Sequence, residues 1–407
     1  MKIPLVILLT CLLLYSAILA RAAVLPGIDV LAERNFDILQ GRRIGLITNH
    51  TGRSAAGAST IDLLYHAPGV RLVALFSPEH GIRGAADEKI GSAVDQATGL
   101  PIYSLYGASC RPTPEMLQGL DGLVFDIQDI GTRFYTYIGT LSLAMRAAKE
   151  QGIPFIVLDR PNPLGGLVVE GAIPAAQLQE GRGSCGAITC IHPIPTRHGM
   201  TVGELARLFN SEYGINCDLT VITMQGWQRA MYYDETGLKW INPSPNMKSL
   251  TAAILYPGLG ILETSSLSVG RGTEAPFQKY GAPWVNLVDV ERRLATLEIP
   301  GLTLAACRFV PTAKGHPYVG QNCSGVCVTA IDRAKLDPVL AGLHLVQAFY
   351  ELYPKQFRVK EGFAIEVGSA QVWDFLTHKK QSPEKIAGGW NQDLERFRKL
   401  REQSLLY

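Results

Sequence analysis

LDGLVFDIQDIGTRFYTY, residues 120–137, carries the reading of the fold. It begins as an unbroken apolar run and stops abruptly in a polar turn holding Asp126, Gln128, Asp129 and Arg133. An amphipathic helix follows over 136–151. A strand that is apolar without alternation is covered on both faces, which is the habit of parallel sheets. The same design recurs on either side. Residues 43–49 (RIGLITN) run into His50-Thr51-Gly52. VRLVALFSPEH (70–80), LPIYSLYG (100–107), PFIVLDRPN (154–162) and CDLTVITM (217–224) are further runs. Helices fit between them at 59–67, from Pro114, and at 201–213, where Thr201 and Glu204 make a capping-box pattern. Strands alternating with helices predict an α/β fold, a mostly parallel sheet with helices on both faces and right-handed crossovers.

The second half changes character. Residues 242–283 are dense in Pro, Gly, Ser and Thr and read as a loop region. Beyond them, helices near 287–296, 335–352 and 390–404 mix with strands near 302–310 and 324–330. This predicts a smaller α+β C-terminal domain over 241–407, after a first domain over 23–240.

Residues 1–22 differ from the rest: Lys2, an apolar stretch from Ile3 to Ala20, then Ala20-Arg21-Ala22. That is a signal-peptide pattern, with cleavage expected before Ala23. An uncleaved anchor is the alternative; Cys11 is poorly placed for lipid attachment. The expected location is therefore exported, periplasmic or secreted. Losing Lys2 and Arg21 takes 38 basic side chains to 36, against 36 acidic ones. A neutral chain without a basic stripe argues against nucleic acid as a partner. With 47% hydrophobic and 18% charged residues, the chain has material for a real core. No other segment is apolar enough to span a membrane. Seven cysteines remain after cleavage; the close pairs Cys185/Cys190 and Cys323/Cys327 are candidates for oxidation in an exported protein.

In a parallel sheet, ligands bind beyond the carboxyl ends of the strands. Four runs end there in polar clusters: Asn49-His50-Thr51, Pro78-Glu79-His80 with Arg83, Asp126 through Tyr135, and Asp159-Arg160-Pro161-Asn162. Glu79 is the most suggestive acid. A carboxyl group in a partly dry site can hold a proton at neutral pH and deliver it to a departing sugar oxygen. A buried salt bridge with Arg83 or Arg160 is the plain alternative. Glycoside hydrolysis generally needs a second carboxylate, which Asp126 or Asp129 could supply; either could instead orient Arg133 or cap the next helix. His50, His80, His198 and Asp126 could together bind a metal, although no H-E-x-x-H spacing exists. Without G-x-G-x-x-G after the first strand, a dinucleotide is not indicated. No cofactor or metal is expected. In the second half, Asn246 is fixed between prolines and Met247, and Arg271 between two glycines suits capture of a carboxylate. Pairing of Arg271 with Glu263 or Glu274 is its alternative.

In order along the chain stand TNHTG, SPEHG-x-RG, FD-x-QD-x-G-x-R-x-YTY, LDRPNP-x-GG, PTRHGMT-x-GELA, PSPNM, YPG-x-x-x-x-E and GRGT-x-x-PF-x-x-x-GAPW. Together these motifs resemble the exo-β-N-acetylmuramidase family of glycoside hydrolases, from about Val24 to the C-terminal helix. The resemblance implies a Rossmann-like N-terminal domain without a nucleotide, a smaller C-terminal domain and a site in the cleft between them. It also implies release of N-acetylmuramic acid from the non-reducing ends of peptidoglycan fragments, so muramyl saccharides are the expected partners. The glutamate of the PEHG motif, here Glu79, is the catalytic residue it points to. The chain departs from the family pattern at Lys248, at Glu263-Thr264-Ser265-Ser266 and at Ser268-Val269. The candidate catalytic set is thus Glu79, Asp126, Asp129 and His80. Candidate sugar contacts are Asn49, His50, Arg83, Gln128, Arg133, Tyr135, Asn162, His198, Asn246, Glu263, Arg271 and Thr273. An exported sugar-binding protein without catalysis, and a metal-dependent esterase or amidase, are the competing readings.

Overall fold

The computed structural model describes residues 23–83, 93–107, 109–179 and 188–407. The segment read as an export signal, and Cys185, lie outside these residues. The first half forms a seven-stranded sheet from β1 (Arg43–Thr48), β2 (Arg71–Ser77), β3 (Ala93–Val94), β4 (Pro101–Ser104), β5 (Gly122–Asp126), β6 (Phe155–Leu158) and β7 (Leu219–Ile222), in the order β3-β4-β2-β1-β5-β6-β7. Every pairing is parallel except that of β3 with β4.

Side chains alternate across a strand, and the apolar runs therefore feed two cores. On one face Ile47, Phe76, Leu123, Phe125, Phe155 and Val157 meet helices Tyr137–Gln151 and Val202–Ser211 through Leu141, Met145, Leu205 and Phe209. On the other, Ile44, Leu46, Leu75, Val124, Ile156 and Leu158 meet helices Gly27–Glu33 and Thr60–His66 through Ile28, Leu31, Ile61 and Leu64. Each such side chain contributes about 1.5–3 kcal/mol through burial. Gly45 in β1 cannot be larger: a Cβ there would lie 2.8 Å from side-chain atoms of both Leu120 and Phe76. Because β1 leads to the helix on one face and β5 to the helix on the other, their carboxyl ends diverge. That is the switch point at which open α/β sheets bind ligands.

The second half adds a three-stranded antiparallel sheet, β8 (Lys279–Ala282), β9 (Leu302–Phe309) and β10 (Cys323–Ala330) in the order β8-β10-β9, with helices Leu287–Leu294 and Pro338–Leu352. The expected loop region over 242–283 is corrected. It contains helix Leu250–Leu259 and strand β8. Ser249 caps this helix, its hydroxyl accepting from the Ala252 amide at 3.1 Å. Pro257 and Gly258 lie inside it, and such residues ordinarily signal a break. Here Gly258 allows contact with helix Pro338–Leu352 so close that a Cβ would overlap the Pro338 carbonyl. The C-terminal helix Asn391–Glu402 returns to the first half. Arg401 Nη1 donates to the carbonyls of Gly166, His198 and Gly199, and the Tyr407 hydroxyl donates to Asp159 at 2.7 Å.

The cysteine pairs expected from spacing are also corrected. The disulfide joins Cys307 on β9 to Cys327 on β10, while Cys190 and Cys323 are buried thiols. Residues four apart along one strand are roughly 13 Å apart, beyond the reach of a disulfide; Cys323 and Cys327 could not have bridged. Cys110 is disulfide-bonded as well. Among the described residues no helix is long and apolar enough to cross a membrane.

Candidate active site

The loop after β1 is pinned by Asn49. Its Oδ1 accepts from the Thr51 amide (2.9 Å) and hydroxyl (2.6 Å), and its Nδ2 donates to the Tyr137 hydroxyl at 3.1 Å. The Thr51 hydroxyl oxygen then accepts from the Gln128 amide at 3.0 Å, tying the ends of β1 and β5 together. His50 is held with Nε2 2.7 Å from the Asn242 carbonyl, while Nδ1 is buried without a hydrogen-bond partner. Burial lowers its pKa, aided by the charges of Arg53 and His80, so the ring is neutral at pH 7.

After β2 the chain turns sharply. His80 and Gly81 both take left-handed backbone angles, φ 69° and 72°. Such conformations in residues other than glycine concentrate at functional sites. The turn leaves Glu79 partly exposed, with Oε2 accepting from the Thr136 hydroxyl at 2.6 Å. The Tyr106 hydroxyl is a second neighbour; burial, then the charge of Glu79, hold that phenol above its ordinary pKa. Tyr135 and Tyr137, raised mainly by burial, sense the same carboxylate.

The two aspartates after β5 part ways. Asp126 is fully buried, and both its oxygens are taken. Arg160 Nε donates to Oδ1 at 2.5 Å, Arg160 Nη2 donates to Oδ2 at 2.9 Å, and the Thr60 hydroxyl also donates to Oδ2. Asp126 is thereby held as a framework group, its carboxylate fully paired. Asp129 is nearly as buried, but only Oδ2 is used, accepting from the Gly131 amide at 2.7 Å. Its Oδ1 has no hydrogen-bond partner, and burial pushes its pKa up to about 7. Gly131 (φ 82°) makes that turn possible; a Cβ there would strike the Asn162 side chain at 2.3 Å.

A cleft of about 670 Å³ opens at the switch point, within the size range of small-molecule sites. His50, Thr51 and Arg53 line it from β1, Arg83 from beyond β2, Gln128 from β5, Arg160 from β6, and Lys239, Trp240, Asn242 and Ser244 from the strap that crosses it. Gln128 is nearly buried; Nε2 donates to the carbonyls of Asp129 and Pro161, leaving Oε1 without a partner. Trp240 likewise keeps an unpartnered indole N–H. Buried polar atoms left unpaired in this way call for a ligand or water. Glu79 itself is not among the residues lining this cleft. It lies at the same sheet edge, across Tyr135 and Tyr137; the Tyr137 hydroxyl donates to the carbonyl of Pro243, beside the cleft residue Ser244.

Other expected contacts are hydrogen-bonded into the framework. Asn162 spends Nδ2 on the Met200 carbonyl and Oδ1 on the Leu164 amide. Arg133 donates to the carbonyls of Thr189 (3.2 Å) and Glu366 (2.5 Å). His198 is wholly buried, accepts from the Met200 amide through Nδ1, and is kept neutral by burial and nearby arginines, which lower its pKa to about 3. With Asp126 and His198 so used, the metal-ligand set loses two members; among the described residues no three His, Cys, Asp or Glu gather as a metal site. Arg271 forks onto Glu263, at 2.5 and 2.9 Å, in a separate cavity of about 160 Å³ that also holds His316 and Lys360. Asn246 accepts from the Gly272 amide at 3.0 Å, and the Thr273 hydroxyl bonds the Gly270 carbonyl at 2.7 Å, so both shape that loop. The sequence reading did not single out Arg53, Thr136 or Lys239. Thr136 stood within the YTY motif without a role assigned to it, while Arg53 and Lys239 had position as their only signal, after a strand-end motif and beside a proline-rich segment.

Comparison with known proteins agrees with this architecture. The family model described as exo-beta-N-acetylmuramidase NamZ, N-terminal, matches residues 44–251, and its C-terminal counterpart matches residues 254–407. The peptidoglycan beta-N-acetylmuramidase NamZ of Bacillus subtilis (strain 168) is 43% identical over 390 residues, covering 95% of this chain and 92% of that protein. Two crystal structures of DUF1343 family proteins from Bacteroides fragilis NCTC 9343 superpose with TM-scores of 0.85 and 0.75, at 39% and 31% identity. They cover 95% of this chain in each case, and 100% and 99% of theirs. Matches of this extent, to both halves and in one order, place the chain in the exo-beta-N-acetylmuramidase family.

Proposed function

We propose that this protein is an exo-acting glycoside hydrolase that releases N-acetylmuramic acid from the non-reducing ends of peptidoglycan fragments, with Glu79 as general acid. The observation that carries the assignment is the different fate of the three strand-end acids. Asp126 is locked under Arg160 and Asp129 is almost wholly enclosed, whereas Glu79 is partly exposed beside the cleft and oriented by the Thr136 hydroxyl. In the reaction the glycosidic C–O bond breaks, the leaving oxygen takes the Glu79 proton, and water supplies the hydroxyl that ends on the anomeric carbon. His80 holds the turn that aims Glu79, and Gln128 and Trp240 meet the sugar in the cleft.

Export agrees with the leader-like pattern over residues 1–22 and with the Cys307–Cys327 disulfide, which belongs to an oxidising compartment. The test is Glu79→Gln assayed with a chromogenic muramic acid glycoside. Turnover falls by more than about 100-fold, the scale of general acid catalysis, while the folded protein keeps its melting temperature. Turnover near that of the unsubstituted enzyme overturns the assignment.

A further inference from the structure

The charges around the cleft are one-sided. Among the described residues that line it, Arg53, Arg83, Arg160 and Lys239 are cationic and none is a carboxylate. Two of the four are already committed: Arg160 to Asp126, and Arg83 to Asp95 at 2.8 Å. Arg53 is not. Its Nε donates to the His50 carbonyl at 3.1 Å and its Nη1 to the Gly57 carbonyl at 2.9 Å, so its stem is fixed and its direction set by backbone alone. Among the described residues no acid forms an ion pair with it, and its Nη2 makes no hydrogen bond. Asp29, on helix Gly27–Glu33, accepts from the Ala55 amide through Oδ2 at 2.9 Å. A half-buried guanidinium held by carbonyls, with an unused edge on a cleft, is a preorganised anion receptor.

We infer that Arg53, assisted by Lys239, is the specificity-determining group that binds the carboxylate of the lactyl ether on the muramic acid ring. The inference rests on the muramidase reading above and adds the residue that separates this sugar from N-acetylglucosamine, which lacks that carboxylate. The group expected for this task from sequence, Arg271, is spent on Glu263 in another cavity. Position favours Arg53 as well. Arg53 holds the His50 carbonyl at 3.1 Å, and both residues line the cleft.

The test measures binding of free N-acetylmuramic acid and of N-acetylglucosamine to the full-length enzyme by calorimetry, alongside turnover of the muramic acid glycoside. A charged hydrogen-bonding pair contributes about 1.5–3 kcal/mol, so the unsubstituted enzyme should prefer the acidic sugar by about 10- to 100-fold. Arg53→Gln should abolish that preference and leave binding of N-acetylglucosamine unchanged; Arg53→Lys should keep part of it. Lys239→Gln, at an exposed position that does not threaten folding, should lower the preference several-fold and weaken its dependence on salt. An enzyme that turns over the muramic acid glycoside while Arg53→Gln and Lys239→Gln both keep the full preference overturns this inference alone. An unsubstituted enzyme with no turnover of that glycoside overturns the muramidase reading itself.

Discussion

Asp126 and Arg160 make the sharpest test of how the site is held. The carboxylate has no exposed surface and the arginine side chain is 5% exposed, so water cannot replace either partner. Asp126 accepts two bonds from Arg160 and one from Thr60, while Arg160 Nη2 also reaches the Arg53 carbonyl at 2.8 Å. Asp126→Ala leaves a guanidinium buried without its counter-charge, and breaking such a pair costs about 3–5 kcal/mol. Arg160→Met in the same background removes the stranded charge. It should return more than about 2 kcal/mol of that loss, since apolar replacement of a buried pair is often close to neutral. Chemical denaturation of the four proteins gives the coupling directly as a double-mutant cycle. If Asp126→Ala costs less than about 1 kcal/mol, or the double substitution is no better than the single one, Asp126 is not the framework group described above. Full stability of Asp126→Asn with turnover lost would return it to the catalytic set.

Two further outcomes follow from the same structure. Burial raises the Asp129 carboxyl from 3.8 to about 7, so the folded state favours its protonated form; its contribution to stability is complete below about pH 4 and lost as pH rises to 7. At roughly 1.4 kcal/mol per pKa unit the loss approaches about 4 kcal/mol. Melting temperatures of Asp129→Asn should fall less steeply between pH 4 and 7, with Glu170 and Asp159, raised to about 7 and about 6 by burial, accounting for the slope that remains; an unchanged slope refutes it. The Cys307–Cys327 bridge spans 20 residues, and opening a loop of that size by Cys307→Ser should cost about 3 kcal/mol. Guanidinium midpoints of Cys307→Ser and of the unsubstituted protein, both read without reductant, check this, and equal midpoints overturn it.

The sheet was legible because its strands are covered on both faces. A run such as Leu123-Val124-Phe125 feeds both cores at once, so it shows no alternation and cannot be mistaken for a half-exposed strand. The helix Leu250–Leu259 was hidden for the opposite reason. Pro257 and Gly258 carry strong local signals for a break, and those signals were overruled by a contact with Gly342, more than eighty positions away in the chain. The capping serine at 249 was the available clue, and its weight per residue is small beside that of a proline. The pairing of Cys307 with Cys327 was hidden likewise: it depends on which two strands lie side by side.

The same distinction decides what could be read of the site. Sequence placed Glu79, Asp126 and Asp129 at one edge, because strand ends in a parallel sheet all point one way. It could not rank them, because the rank is set by partners that other elements supply. Arg160 arrives on β6 and silences Asp126; Thr136 arrives at the head of the next helix and orients Glu79. The arginines obey the same rule. Arg271 has the glycine-flanked look of a ligand hook, yet Glu263, eight positions earlier, takes its fork. Arg53 looks like an ordinary loop residue, yet no acid comes within reach of it among the described residues. Desolvating a charge that already has a partner gains little for a ligand, whereas an unpaired charge fixed by carbonyls has nothing to give up. Availability therefore belongs to the constellation rather than to the residue, and it is Arg53, not Arg271, that still has a bond to offer.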